Sequence, residues 1–168
     1  MRKVASSETS RARIDAPAFV SAHIKALGTP LGAPLSPSIE TRGELVRGLG
    51  QLALKKSIVK AVPAVVGVLE LPDGEPGVAV AKQWATAALF TTIVLNTAPK
   101  AKQATFEAGA VPLLVAVARA GSDSARGHAR TCLTQLAEAP AHRAAIVTAS
   151  EAAGLDLAFL QRAELLKK

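Results

Sequence analysis

Phe106-Glu107-Ala108-Gly109-Ala110-Val111-Pro112-Leu113-Leu114-Val115 is the stretch that decides the fold. A glycine, then a proline three residues later, then an apolar run marks one helix ending and another beginning. Gly109 supplies the positive φ that a sharp turn between helices needs. Pro112 has its φ preset for a first helical turn and loses no hydrogen bond there. Proline-headed apolar runs recur upstream as Pro63-Ala64-Val65-Val66 and Pro17-Ala18-Phe19-Val20, at spacings of 49 and 46 residues. A recurring unit of that length is the mark of a helical repeat protein, in which each unit buries its faces against its neighbours.

A second internal match follows the proline runs. Arg42-Gly43 with Leu49-x-Gln51-Leu52-Ala53 reappears as Arg126-Gly127 with Leu133-x-Gln135-Leu136-Ala137, six identities in twelve positions at one constant offset. The match lies on a longer helix after the proline helix. In the first unit, Asp15 and Pro17 open a helix that Gly28 ends, and Ser38 caps a second helix running to about Leu54. Three prolines and two glycines between Gly28 and Pro37 exclude regular structure there. The middle unit reads as a short helix Lys55–Ala61, a helix Pro63–Leu71, an insertion Pro72–Gly77 and a long helix Val78–Asn96. The next reads as Lys100–Glu107, Pro112–Ala120 and Ala125–Glu138, closed by Pro140. A helix Ala141–Ala149 and a final helix from about Ser150 to Leu166 complete the chain. Leu114, Val117, Val65 and Val68 recur at helical spacing and are expected to face the stack.

The run Phe106–Val115, with Gly121-Ser122-Asp123 and Leu133-x-Gln135-Leu136-Ala137, resembles the armadillo-repeat consensus. The resemblance is sharp over residues 100–149. Over residues 54–97 it carries an insertion and lacks the glycine, and over 15–53 only the second and third helices match. It implies an all-α fold, a short right-handed α-solenoid of three-helix repeats. The domain organisation is then a basic arm over 1–14 and an armadillo-like domain over 15–168. That domain divides into a partial repeat 15–53, repeats 54–99 and 100–140, and a C-terminal cap 141–168. Armadillo arrays bind extended peptides on the concave face, where tryptophan and asparagine of the third helices clamp the peptide backbone. Here Gln51 and Gln135 stand at the asparagine position, and Arg47 and Thr131 at the tryptophan position.

Composition agrees with helix-on-helix packing. The chain has 168 residues, 49% of them hydrophobic and only 3% aromatic, with no tyrosine. Small side chains let helices approach closely, whereas sandwiches favour β-branched and aromatic residues. The single cysteine, Cys132, excludes an internal disulfide and a cysteine-rich zinc site, and it falls at a core position. His23, His128 and His142 lack metal-ligand spacing, the loop around Asp73, Glu75 and Gly77 is too sparse for calcium, and no phosphate-binding loop is present. No enzyme chemistry, metal or cofactor is expected.

The net charge of +7 is uneven, because residues 1–60 hold ten Lys/Arg against four acids. Such an end is drawn to acidic partners. The start, with Arg2, Lys3, Arg11 and Arg13, contains Glu8 and no convincing amphipathic arginine helix, so it reads as a basic arm, although a mitochondrial destination stays open. Gln83–Pro99 is uncharged, but it is short for a membrane crossing and diluted by threonines, and the repeat places it as a core helix.

The partner-binding candidates are Arg2, Lys3, Arg11, Arg13, Arg47, Gln51, Trp84 and Gln135. Trp84 is open between buried packing and an interface anchor. The function expected is that of a non-enzymatic scaffold or adaptor subunit of a larger cytoplasmic assembly, with a cytoskeletal or ciliary setting as one candidate. It would bind proteins through its helical surfaces and, through the arm, an acidic surface such as tubulin. The alternative is an accessory subunit of a ribonucleoprotein such as the ribosome, with the basic end on RNA phosphates.

Overall fold

The computed structural model describes residues 16–52, 56–95 and 99–160. These residues form helices joined by turns, with no strand among them. The elements are α1 (Ala16–Leu27), α2 (Ile39–Gln51), a 3₁₀ segment (Lys56–Ala61), α3 (Val62–Leu69), α4 (Val78–Leu95), α5 (Pro99–Glu107), α6 (Ala110–Ala120), α7 (Asp123–Leu136) and α8 (Pro140–Ala152). The expected all-α class is therefore observed.

Local chemistry sets the joints. Gly109 has φ +75° and separates α5 from α6, as its lack of a Cβ allows. At the equivalent joint of the preceding unit no glycine is present. There the short segment winds as a 3₁₀ helix and runs directly into α3, with Ala61 still right-handed. Ser38 caps α2 by accepting from the Thr41 amide, and Ser122 caps α7 by accepting from the Ala125 amide. Each cap satisfies an amide that has no partner within its helix. Asp15, the expected cap of α1, lies outside the described residues.

One contact pattern recurs along the chain. The helices that hold Pro17, Pro63 and Pro112 each pack on the long helix after them: α1 on α2, α3 on α4, α6 on α7. Each also packs on the short element of the following unit: α1 on the 3₁₀ segment, α3 on α5, α6 on α8. The long helices pack in a row, α2 on α4 and α4 on α7. Helix α4 is sandwiched between two long neighbours, which explains why its apolar residues run around most of its circumference. Leu49, Leu89, Ile93, Leu114, Leu133, Leu136 and Ile146 are fully buried and belong to one continuous core. Val65, Val68, Leu114 and Val117 are buried as expected.

The end of the chain differs from expectation. Ser150 does not begin a final helix. It lies buried inside α8, which runs on to Ala152 and ends at Gly154, with φ +66°. Alanine at 149, 152 and 153 offers no reason for α8 to stop sooner, and Pro140 opens it as a first-turn residue. Helix α8 therefore sits on α6 as the short elements sit on the other proline helices. Residues 161–168 lie outside the described set.

Candidate functional site

The seam between α2 and α4 is built from small residues. A Cβ on Gly50 would lie 3.3 Å from the Cα and Cβ of Ala88, and one on Gly43 would lie 3.4 Å from the Cα of Ala81. Both pairs repeat at seven-residue spacing, so one face of each helix stays narrow over two turns. Thr91 Oγ1 lies within donating distance of the Gly50 carbonyl across the seam, at 3.4 Å, and closer to the Ala87 and Ala88 carbonyls of its own helix, which compete for its one proton. With the backbones this close, the larger side chains at the seam edge are displaced outward. They form a groove of about 380 Å³ lined by Arg47, Gln51, Trp84, Ala87 and Thr91 over a floor of Gly50 and Ala88.

Three predicted site residues therefore meet in one place. The Arg47 guanidinium carbon lies 5.6 Å from the centre of the Trp84 ring. Its Nη2 pairs with Glu44 Oε2 at 2.6 Å, one turn away. The stacking is worth about 0.5–1 kcal/mol at an exposed site, and the ion pair less than that. Together they hold a flat cation beside an aromatic face, with the Gln51 side chain exposed next to them. Trp84 is half-buried, so it is neither pure core nor a fully exposed anchor. The groove offers apolar area, one amide that both donates and accepts, and one cation. These groups suit an extended peptide carrying an acidic side chain.

Gln135 lies elsewhere. On α7 it accepts from Lys102 Nζ at 3.1 Å, and the same ammonium pairs with Glu138. Thr131 is exposed and lines a different pocket of about 420 Å³ with Arg130, Thr134, Asp156 and Phe159. Arg2, Lys3, Arg11 and Arg13 lie outside the described residues.

No protein-family model, curated protein or solved structure matches this chain.

Arg42, one of the ten Lys/Arg of residues 1–60, does not belong to the exposed basic charge. It is 5% exposed. Its guanidinium donates to the Leu27 carbonyl at 2.7 Å, to the carbonyls of Thr29 and Pro37, and to Ser36 Oγ at 3.1 Å. All four acceptors are neutral, and Leu27 is the last residue of α1, where the helix dipole favours a cation. Its sequence counterpart Arg126 instead pairs with Asp123 on the surface. The exposed basic charge of the N-terminal third is thus one smaller than a residue count gives.

Cys132 is fully buried in α7, and burial pushes its thiol far above the ordinary range, so it is no nucleophile at neutral pH. Each histidine ring lies against a phenylalanine ring: His23 is tilted on Phe19 at 3.8 Å, and His128 and His142 stack on Phe90 at 4.7 Å and Phe106 at 3.9 Å. Among the described residues no group of three or more His, Cys, Asp or Glu is placed to hold a metal ion. Helix α4 is long and apolar enough to cross a membrane by length and composition. In the fold it packs on α2, α3 and α7, and Val80 and Leu95 stay exposed.

Proposed function

We propose that this protein is a non-enzymatic adaptor of armadillo-like, solenoid type that holds an extended segment of a partner protein in the groove between α2 and α4. The observation that carries this reading is the convergence of Arg47, Gln51 and Trp84, from two helices, on one groove. The recurring contacts between successive helices support the solenoid, because they repeat with the period read from the prolines. In this reading Trp84 and the floor of small residues supply apolar contact, and Gln51 bonds the partner's backbone. Arg47 exchanges its exposed Glu44 pair for an acidic side chain of the partner. The assembly served is a cytoplasmic one, for which a cytoskeletal or ciliary complex fits the basic N-terminal end.

The test is affinity purification of the tagged full-length chain from its native cells, followed by reconstitution with each recovered protein. A true partner shifts the emission of Trp84, the only tryptophan, and loses at least tenfold in affinity with Arg47→Glu or Gln51→Ala. Both substitutions fall on exposed side chains and leave the core untouched. Binding that is indifferent to both variants would remove the groove from the function. Recovery of RNA alone, with steep salt dependence, would favour the ribonucleoprotein reading instead.

A further inference from the structure

A surface helix turns charged side chains to the water. Helices α2 and α7 do so, with Glu40, Glu44 and Arg47 exposed on the one and Asp123 and Arg130 on the other. Helix α4 does not. Its one charged residue, Lys82, pairs with Asp73 and falls by helical spacing on the side of the buried Ala85, Leu89 and Ile93. The side left open carries Val80, Trp84, Ala87, Thr91 and Leu95, which recur at helical intervals and form one uncharged stripe. Val80 is 56% exposed and Leu95 51%, two of the four large hydrophobic residues exposed among the described residues. Single exposed apolar residues mean little, but several on one stripe with a tryptophan mark a surface that something covers. Packing on α2, α3 and α7 accounts for the covered sides of α4 and not for the lack of charge on this one.

The stripe prolongs the groove at both ends. The groove holds its middle, from Trp84 to Thr91, and Val80 and Leu95 each lie about one turn beyond. From end to end the stripe measures about 22 Å at ~1.5 Å per residue. An extended chain rising ~3.3 Å per residue covers that length with about seven residues. The groove also selects the conformation of its occupant. Its volume of about 380 Å³, spread over the ~10 Å from Trp84 to Thr91, leaves a channel about 6 Å across, whereas a helix with its side chains is ~10–12 Å wide. Gln51 is exposed and has no hydrogen-bond partner among the described residues, so its amide is open to a backbone lying there. Its counterpart Gln135 is engaged by Lys102. A flat, anionic lipid surface suits neither the recessed floor of Gly50 and Ala88 nor the Glu40 and Glu44 rim of α2.

We propose, resting on the Arg47–Trp84 groove as a peptide site, that the partner segment lies extended along α4 for about seven residues, with one apolar side chain against Val80 and another against Leu95. Gly43 packs on Ala81 and Gly50 on Ala88, so α2 and α4 run parallel and Arg47 stands level with Trp84. That level is ~6 Å from Val80 and ~17 Å from Leu95 along the helix. An acidic side chain meeting Arg47 therefore sits about two residues from the Val80 anchor and about five from the Leu95 anchor. The recognised segment is asymmetric.

A random twelve-residue peptide library displayed on phage and selected on the full-length chain supplies the probe. Selected peptides are then synthesised and titrated by the emission of Trp84. Val80→Asp near the start of α4 and Leu95→Lys at its end place each new charge where the helix dipole favours it, so circular dichroism should be unchanged. Each variant is expected to weaken binding at least fivefold. Replacing a peptide's own apolar anchor by serine should cost as much in the native chain, and almost nothing in the variant that lacks the matching side chain. Peptides that respond to Arg47→Glu and Gln51→Ala but ignore Val80→Asp and Leu95→Lys would overturn the longer register and leave the groove as a peptide site. Peptides indifferent to all four variants, or a selection that yields none, would remove both. Flotation of the chain with phosphatidylcholine–phosphatidylserine vesicles, lost in Val80→Asp, would assign the stripe to a membrane and overturn the proposal.

Discussion

At Arg42 the molecule buries a full positive charge whose partners among the described residues are three backbone carbonyls and one hydroxyl. Replacing it with methionine keeps volume but leaves three carbonyls without their donor. The expected loss is about 2–4 kcal/mol, since acceptors left unsatisfied by removal of a charged donor carry their full desolvation cost. Lysine will not rescue the site, because one ammonium cannot reach both flanks of the loop as the planar guanidinium does. Urea denaturation measures the loss, and faster proteolysis within residues 28–37 locates it. At Cys132 the expectation is chemical. The native thiol should resist a disulfide exchange reagent at pH 8 and react fully in 6 M guanidinium. The sequence makes Arg42 and Arg126 equivalent, and the structure separates them. What distinguishes them is the path of a proline-rich loop, which no local preference at residue 42 encodes.

At the level of elements, the joints were legible wherever a residue has a unique backbone role. Gly109, Pro112 and Ser38 each do what their chemistry requires, so the starts of α2 and α6 could be placed from sequence to within two residues, whereas Ser122 caps α7 and starts it at Asp123 instead of the expected Ala125. The 3₁₀ winding of Lys56–Ala61 and the continuation of α8 past Ser150 were not read from the sequence, although the missing glycine before α3 and the alanines at 149, 152 and 153 are the local features that accompany them. The convergence of Arg47, Gln51 and Trp84 was half legible. Arg47 and Gln51 are one turn apart on one helix, but their meeting with Trp84 follows from the Gly50–Ala88 approach, a tertiary contact. Two glycines separate these influences. Gly127→Ala in α7, where an added Cβ meets nothing within 4 Å, should stabilise by about 0.5–1 kcal/mol through helix propensity. Gly50→Ala gains the same propensity but presses on Ala88, and overpacking of about 1–3 kcal/mol should win, leaving a net loss near 1 kcal/mol. Thermal unfolding of both variants checks the opposite signs.

Across the whole molecule, one core runs from Val20 to Leu160, so its parts should melt together. Ile146→Ala in α8, a fully buried site, should cost about 3 kcal/mol by cavity formation. The lower midpoint should be the same by Trp84 emission, which reports on α4, as by far-ultraviolet circular dichroism, which reports on all helices. Separate transitions would mean that the units unfold one by one. The phenyl-covered histidines allow a finer reading of the same cohesion. Phenyl ring currents displace the imidazole proton resonances upfield, and the chain has three histidines in all. His23 reports the inside of α1, His128 the junction of α4 with α7, and His142 the junction of α5 with α8. A one-dimensional proton spectrum therefore holds three spectroscopic gauges, and a partner that pries open any of these places will name it by the single signal that returns downfield.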